Sequence, residues 1–503
     1  MKVLFVWPIV RPEEPPHHIP FGLAQICAVS ESMGHACAFL DVNAHRFGLD
    51  VLRAEARSDD FDVVAIGGLT SQYKYIKQYL PVLREAQPDA LIVAGGGFIT
   101  SQPHDMMRWC KEIDVGVIGE GENTWVELCD HVYDRRFEEV RGLIFRDEGG
   151  NIKMTEPRPL IGMKDSGLFE SLDELPYPSY DLLPMDVYLR NSQIPLCPET
   201  LRPDLRRISV VSERGCPQTP PCRFCTHLGM SCSDLSRVYG KKFKGPNVRW
   251  QSAQYLVNHI KYLRLKYAIN FCSILDENFL SNKKRCLEFA DLMEKEGLVG
   301  LVRFGVLGHP AAADPEVIGR LRDVGLSYIS FGAESADQNV LNALGKRSSP
   351  EQIQNAIDIC VKFEVYPITT WMISVDDDYN SILKTVRFWK RNQITCKPFF
   401  ETPYVATKLY EDYKEKIIDY FLEDEEKKQI QLLKEEGRMD EVEKIRDKAL
   451  ERYVLNLGDA VNLTVNLNPN FDDLQMLGIQ QAMFEKDERR LMRMAKAHHV
   501  DLA

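Results

Sequence analysis

The chain has 503 residues, 44% hydrophobic and 27% charged, the composition of a soluble globular protein with room for two or three domains. A formal net charge of −12 argues against a large basic surface for nucleic acid, and no apolar run approaches the length of a transmembrane segment. Thirteen cysteines without a disulfide-like pattern suit a reducing, cytoplasmic location.

Met1 to Val10 is apolar apart from Lys2, but the run is short and Arg11-Pro-Glu-Glu-Pro-Pro follows without a small-residue cleavage site. A buried first strand is expected there, not a signal peptide. Short apolar runs at Val3–Trp7, Ala38–Leu40, Val63–Gly67, Leu91–Ala94 and Val115–Ile118 then alternate with helical patterns around 23–33, 51–57 and 76–86. That alternation predicts an α/β unit over residues 1–137, a Rossmann-like doubly wound parallel sheet with its ligand crevice at the carboxyl ends of the strands. At those ends stand Gly67-Gly68-Leu69-Thr70-Ser71, Gly95-Gly96-Gly97 and Gly119-Glu120-Gly121-Glu122, whose glycines let a flat or extended ligand approach the backbone. A plain turn explains any one of them taken singly. His17 and His18, in a proline-flanked loop, either cover the crevice or face solvent.

Residues 138–206 read as a linker: a hairpin pairing Leu143–Arg146 with Ile152–Thr155, then a proline-rich passage through Pro176, Pro178 and Pro184. Six strand-like runs follow over 207–408, at 208–212, 269–275, 302–307, 328–331, 366–373 and 399–403, with helical patterns between them. They predict a partial (β/α)6 barrel open on one side, with its chemistry at one mouth. Polar residues fall where that mouth requires them: Asp276-Glu277-Asn278, His309, Glu334-Ser335 and Glu401-Thr402, although Ser335 or Asp337 alone reads equally well as a helix start. From Leu409 to Leu455 the composition is that of a solvated helical pair, within a C-terminal helical region over 409–503.

The most informative residues are Cys216, Cys222 and Cys225, directly after the first barrel strand. Three thiolates can hold three irons of a [4Fe-4S] cubane and leave the fourth for a ligand. A redox pair, unrelated core thiols, or a zinc site completed by Cys232 are the competing readings. The run Lys241-Lys242-Phe243-Lys244 reads as a solvated loop, or as a contact for an anionic substrate group.

The cysteine loop resembles that of the radical S-adenosylmethionine (SAM) enzymes, in the branch with an N-terminal cobalamin (B12)-binding-type domain. The family spacing is Cys-x3-Cys-x2-Cys and this chain has Cys-x5-Cys-x2-Cys, the longer gap stiffened by Pro217, Pro220 and Pro221. Phe331-Gly332-Ala333-Glu334-Ser335 is similar to the family's Gly-x-Glu-Ser segment. The resemblance implies that Cys216, Cys222 and Cys225 ligate the cluster and that Glu334 and Ser335 meet SAM. It places Phe224 against the adenine, with Glu277 or Asp276 near the amino group. Thr70, Ser71, Gly95, Gly96, Gly97, Gly119, Glu120 and Gly121 would line cobalamin. The cobalt-ligating histidine of mutase-type domains is replaced by Asn43, with His45 two residues away.

The same resemblance implies reductive cleavage of SAM to a 5′-deoxyadenosyl radical and, with cobalamin, methylation of an unactivated carbon of a small molecule or lipid. An electron donor such as flavodoxin or ferredoxin is implied as partner. The rival readings are radical carbon–carbon bond formation or rearrangement without methyl transfer, the first domain lacking cobalamin, and a non-enzymatic redox sensor. No side chain is assigned a catalytic role, and the tRNA methylthiotransferase branch is disfavoured because neither its extra cluster cysteines nor a basic tail is present.

Overall fold

A computed structural model describes residues 1–191, 197, 200–227 and 229–498. The N-terminal sheet has the order β2-β1-β3-β4-β5-β6-β7. Its strands are β1 (Lys2–Trp7), β2 (Ala36–Asp41), β3 (Val63–Gly67), β4 (Leu91–Gly95), β5 (Val115–Val117), β6 (Leu143–Arg146) and β7 (Ile152–Met154). The first five are parallel, and residues of β1 and β3 are buried almost throughout because helices cover both faces. Strands β6 and β7 form the hairpin expected in the linker, but β6 pairs antiparallel with β5 and so covers the edge of the parallel sheet.

The chain continues through β8 (Arg207–Val210), the antiparallel pair β9 (Glu213–Gly215) and β10 (Val248–Trp250), then β11 (Phe271–Ile274), β12 (Arg303–Gly308), β13 (Leu326–Glu334), β14 (Tyr366–Ile373) and β15 (Phe399–Phe400). Strands β8 and β11 to β15 make one six-stranded parallel sheet in sequential order, β15-β14-β13-β12-β11-β8. This is the curled half-barrel expected from the alternating pattern. All its strands point their carboxyl ends the same way, so the loops after them share one mouth.

The charged C-terminal stretch is less solvated than its composition suggests. Helices Lys408–Phe421, Asp424–Glu435 and Met439–Asn456 bury Leu409, Ile417, Tyr453 and Val454 in the same apolar cluster as Val64, Ile66, Tyr73 and Leu80 of the N-terminal unit. Tyr73 donates to Glu451 at 2.8 Å and Trp109 to Asp447 at 3.0 Å across that contact. Helices Asp473–Phe484 and Glu488–Ala497 pack elsewhere, with Trp371 and Trp389 on the outside of the half-barrel. Among the described residues no helix is long and apolar enough to cross a membrane.

Candidate cluster and cofactor site

The cysteine loop leaves β9 at Gly215, whose φ of +83° and contact with the Asn247 carbonyl, 2.0 Å from where a Cβ would stand, admit only glycine. The Cys216 amide donates to that carbonyl at 3.0 Å, and the Arg223 amide donates to the Leu344 carbonyl at 3.0 Å, so both ends of the loop are pinned to neighbouring loops. Between the second and third cysteines, Arg223 makes two 2.7 Å bonds to the carboxylate of Glu401, whose side chain is fully buried. This fork fixes Cys222 and Cys225 against the end of β15. Glu401 thus anchors the loop instead of lining the mouth as a free acid.

All three thiols are partly buried and unbridged. Burial is the main influence raising their pKa values, to about 11 for Cys216; Cys222 raises Cys216 further, and Cys216 and Cys222 raise Cys225. They therefore lie within electrostatic reach of each other, in a setting that disfavours bare thiolates and rewards bound metal. No group of three or more His, Cys, Asp or Glu among the described residues converges closely enough for a single metal ion. Cys232 opens the helix Cys232–Tyr239 with its Sγ 3.8 Å from Met163 Sδ. The four-cysteine zinc reading is set aside on this geometry, whereas a cubane spreads its cysteines over separate irons.

Glu334 ends β13 with φ +64°, where the register with β14 shifts, a strained position for a residue with a Cβ. Its Oε1 accepts from Lys346 Nζ at 2.9 Å, and this pair lies directly over Gly332. Burial is the strongest influence on Lys346 and acts to lower its pKa, but Glu334 and the thiols Cys222 and Cys225 together outweigh it and hold the amine charged. Ser335 is buried and its Oγ accepts from the Asp337 amide at 3.1 Å, while Asp337 is the cap of the next helix.

Asp276 and Glu277 part company. Asp276 Oδ1 accepts from the Ser212 amide and Oδ2 from the Ser212 hydroxyl, both at 2.6 Å, with Arg285 3.5 Å away. Its carboxylate is used up in joining β8 to β11, which removes it as a SAM candidate. Glu277 instead keeps its side chain accessible, although protein groups surround it. Enclosure raises its pKa, opposed by His227 and Lys346, and it also acts electrostatically on Cys216 and Cys225. Phe224 packs beside Val340, Leu344 and Met372 at the same mouth.

A cavity of about 340 Å³ opens at the carboxyl ends of the N-terminal sheet. It is lined by Gly67, Gly68, Leu69, Gly95–Gly97 and Gly119–Gly121 on one side, and by Val211 to Arg214 from the half-barrel on the other. A Cβ on Gly95 would project into open space, whereas one on Gly96 would strike the Gly68 carbonyl at 2.8 Å. Of the predicted cobalamin residues, Gly95, Gly96, Gly97, Gly119, Glu120 and Gly121 line this cavity and Thr70 and Ser71 do not. Glu120 has a further role: it pairs with Arg214 at 3.0 Å and Arg249 at 2.8 Å and accepts from the Ile161 amide at 2.8 Å. Burial alone would raise its pKa, but the two arginines reverse the shift and keep it ionised. Asn43 Oδ1 accepts from the Val10 amide at 3.0 Å, and His45 stacks on Phe47. His18 Nδ1 lies 3.0 Å from Ser209 Oγ in β8, so this loop reaches the half-barrel and not the cavity.

Lys346, Arg223 and the Glu120–Arg214–Arg249 network were not given these roles from sequence. The only local signal was an arginine between two cluster cysteines and a lysine after Gly345.

Two family models match the chain: the B12 binding domain over residues 13–129 and the radical SAM superfamily over residues 210–388. Residues 13–129 and 210–388 thus carry a B12-binding and a radical SAM domain. The chain is 28% identical over 395 residues to an uncharacterised methyltransferase of Pyrococcus horikoshii, covering 78% of each chain. It is 25% identical over 407 residues to the anaerobic magnesium-protoporphyrin IX monomethyl ester cyclase of Cereibacter sphaeroides, covering 79% of this chain and 61% of that one. Its fold is shared with the radical SAM methyltransferase TsrM of Kitasatospora setae, solved with cobalamin and a [4Fe-4S] cluster, at TM-score 0.64 and 15% identity over 83% of this chain and 75% of that one. The cobalamin-dependent radical enzyme OxsB matches with TM-score 0.63 and 13% identity, covering 99% of this chain and 62% of that one.

The two matched domains support a [4Fe-4S] cluster, SAM and cobalamin as the cofactors of an enzyme. The residues present fit them: three partly buried thiols with Glu277 and the Glu334–Lys346 pair in electrostatic reach, and an adjoining cavity rimmed by glycine backbone.

Proposed function

We propose that this enzyme is a cobalamin-dependent methyltransferase acting on an unactivated carbon of a small molecule or lipid. The observation that carries this reading is the junction of the glycine-rimmed cavity and the cysteine loop: Glu120 of the cavity rim is paired with Arg214, two residues before Cys216. The names of relatives support it, among them the cytidylyl-2-hydroxyethylphosphonate methyltransferase of Streptomyces wedmorensis, 26% identical over 380 residues. The cyclase of Cereibacter sphaeroides favours a second reading, radical bond formation without methyl transfer.

In this proposal Cys216, Cys222 and Cys225 hold the cluster. Glu334 and Ser335 receive the ribose and methionine parts of SAM, Phe224 the adenine and Glu277 the ammonium group. Gly95–Gly97, Gly119 and Gly121 admit cobalamin. When bound, the cluster supplies one electron for SAM cleavage and cobalamin supplies the methyl group. The chain's own residues position and enclose. Arg223 and Glu401 fix the loop, Lys346 balances the charge of Glu334 and the thiolates, and the buried walls exclude water from a reactive radical.

The test is oxygen-free reconstitution with iron and sulfide, then incubation with SAM and dithionite. Wild-type protein is expected to show broad iron–sulfur absorption and to release 5′-deoxyadenosine. Cys222→Ala is expected to lose both while still binding hydroxocobalamin. Wild-type SAM cleavage by Cys222→Ala would overturn the ligand assignment.

A further inference from the structure

We propose that the outward face of the C-terminal helix pair, Asp473–Phe484 with Glu488–Ala497, is a docking surface for an anionic lipid bilayer, on which the protein rests without crossing it. The inference does not depend on the cofactor assignments and adds a place where the protein acts.

The pair departs in composition from the rest of the chain, in which acidic residues outnumber basic ones 74 to 62. Residues 474–484 carry no charged side chain, and residues 489–498 hold Arg489, Arg490, Arg493 and Lys496 with no Asp or Glu. Both helices bury one side in the same apolar cluster: Met476, Ile479 and Met483 from the first, Leu491 and Ala495 from the second. They run antiparallel and in contact. Gln475 Nε2 lies 3.2 Å from His498 Nδ1, a Cβ on Gly478 would stand 3.3 Å from Met494 Cε, and Arg490 pairs with Glu485 at 3.3 Å. Two helices side by side on one cluster turn their remaining faces outward together.

That outer face carries large apolar side chains in the open: Leu474 is 82% exposed, Leu477 48%, Phe484 43% and Met492 37%. Helical spacing sets 474, 477 and 484 in one stripe. Around Met492 on the second helix, Arg489, Arg493 and Lys496 share a face, are exposed, and make no ion pair or hydrogen bond among the described residues. Single exposed apolar side chains are ordinary, but a stripe of them bordered by unpaired cations is the pattern of an interfacial helix. Its apolar tips enter the acyl boundary while Lys and Arg meet lipid phosphates. A second copy of the chain would bring the same cations against these, and like charges facing each other oppose that pairing. No helix among the described residues is long and apolar enough to cross a membrane, so the contact is with the surface alone.

The experiment floats the full-length protein with vesicles of phosphatidylcholine alone or of phosphatidylcholine mixed with phosphatidylglycerol, at low and at high salt, and reads the oligomeric state by light scattering. Wild type is expected to rise with the phosphatidylglycerol vesicles at low salt, to stay behind with phosphatidylcholine alone, and to be released by high salt. The double variants Arg489→Glu/Arg493→Glu and Leu474→Ser/Leu477→Ser are each expected to lose about tenfold or more in vesicle partitioning. Their urea unfolding midpoints are expected to match wild type, because all four side chains are exposed. Wild type that ignores the phosphatidylglycerol vesicles, or that binds both kinds alike, would overturn the proposal, as would wild-type partitioning by either variant. So would a wild-type dimer that the variants split, because the face would then receive a second copy. None of these readouts involves iron, SAM or cobalamin, so a failure here is distinct from a failure of the cofactor assignments.

Discussion

At Gly332 one absent methyl group makes room for the Glu334–Lys346 pair, the proposed SAM contact. A Cβ there would stand 2.5 Å from Glu334 Oε1 and 2.7 Å from Lys346 Nζ, so alanine must displace a buried ion pair beside the thiols. Gly332→Ala is expected to weaken SAM binding by about tenfold, roughly 1.4 kcal/mol, with the iron–sulfur absorption retained; equilibrium dialysis of the reconstituted protein measures it. Wild-type affinity would show that the pair does not shape the SAM site. Glu334 was legible in sequence because its motif is local. Lys346 and the Arg223–Glu401 fork were not, because their roles depend on partners 12 and 178 residues away along the chain.

At the scale of elements, the loop after β5 is bolted to β9 and β10. Gly119 and Gly229 meet backbone to backbone, a Cβ on Gly229 falling 2.7 Å from Gly119 Cα, and Glu120 spans the same seam to Arg214 and Arg249. A buried ion pair is weak evidence of net stability, but removing one charge strands the other. Glu120→Gln is therefore expected to cost about 3 kcal/mol in urea unfolding. If the seam sets the spacing of cavity and cysteine loop, the variant should lose about tenfold or more in methyl transfer while SAM cleavage changes far less, since small displacements of reacting groups are costly. Equal losses in both would show that the network only supports folding. Sequence placed Glu120 at the cavity rim but not in this network, because loop composition does not reveal which strand will face it.

Over the whole molecule, the linker segment around Tyr177 and Tyr180 docks on the half-barrel through His259, which stacks on Tyr177 at 4.3 Å and lies 2.8 Å from the Tyr180 hydroxyl. Burial lowers its pKa from 6.5 to about 3. Below about pH 6.5 the unfolded chain takes up a proton that the native site refuses, so acid favours unfolding by about 1.4 kcal/mol per pH unit until the native pKa is reached. Against His259→Gln, wild type is expected to lose that much more stability per unit between pH 6 and 4, read from urea midpoints; parallel pH profiles would refute the assignment. The sequence by itself determined the two strand–helix alternations, the three cysteines and the Gly-Ala-Glu-Ser segment, because hydrophobic period and short motifs act within a few residues. Only the tertiary structure decided that Asp276 is spent on Ser212, that Glu120 joins two sheets, and that the helices of 408–456 close over the N-terminal unit. Each of those outcomes depends on which distant carboxylate, guanidinium or apolar face arrives to satisfy a buried group, and burial is a property of the packed chain.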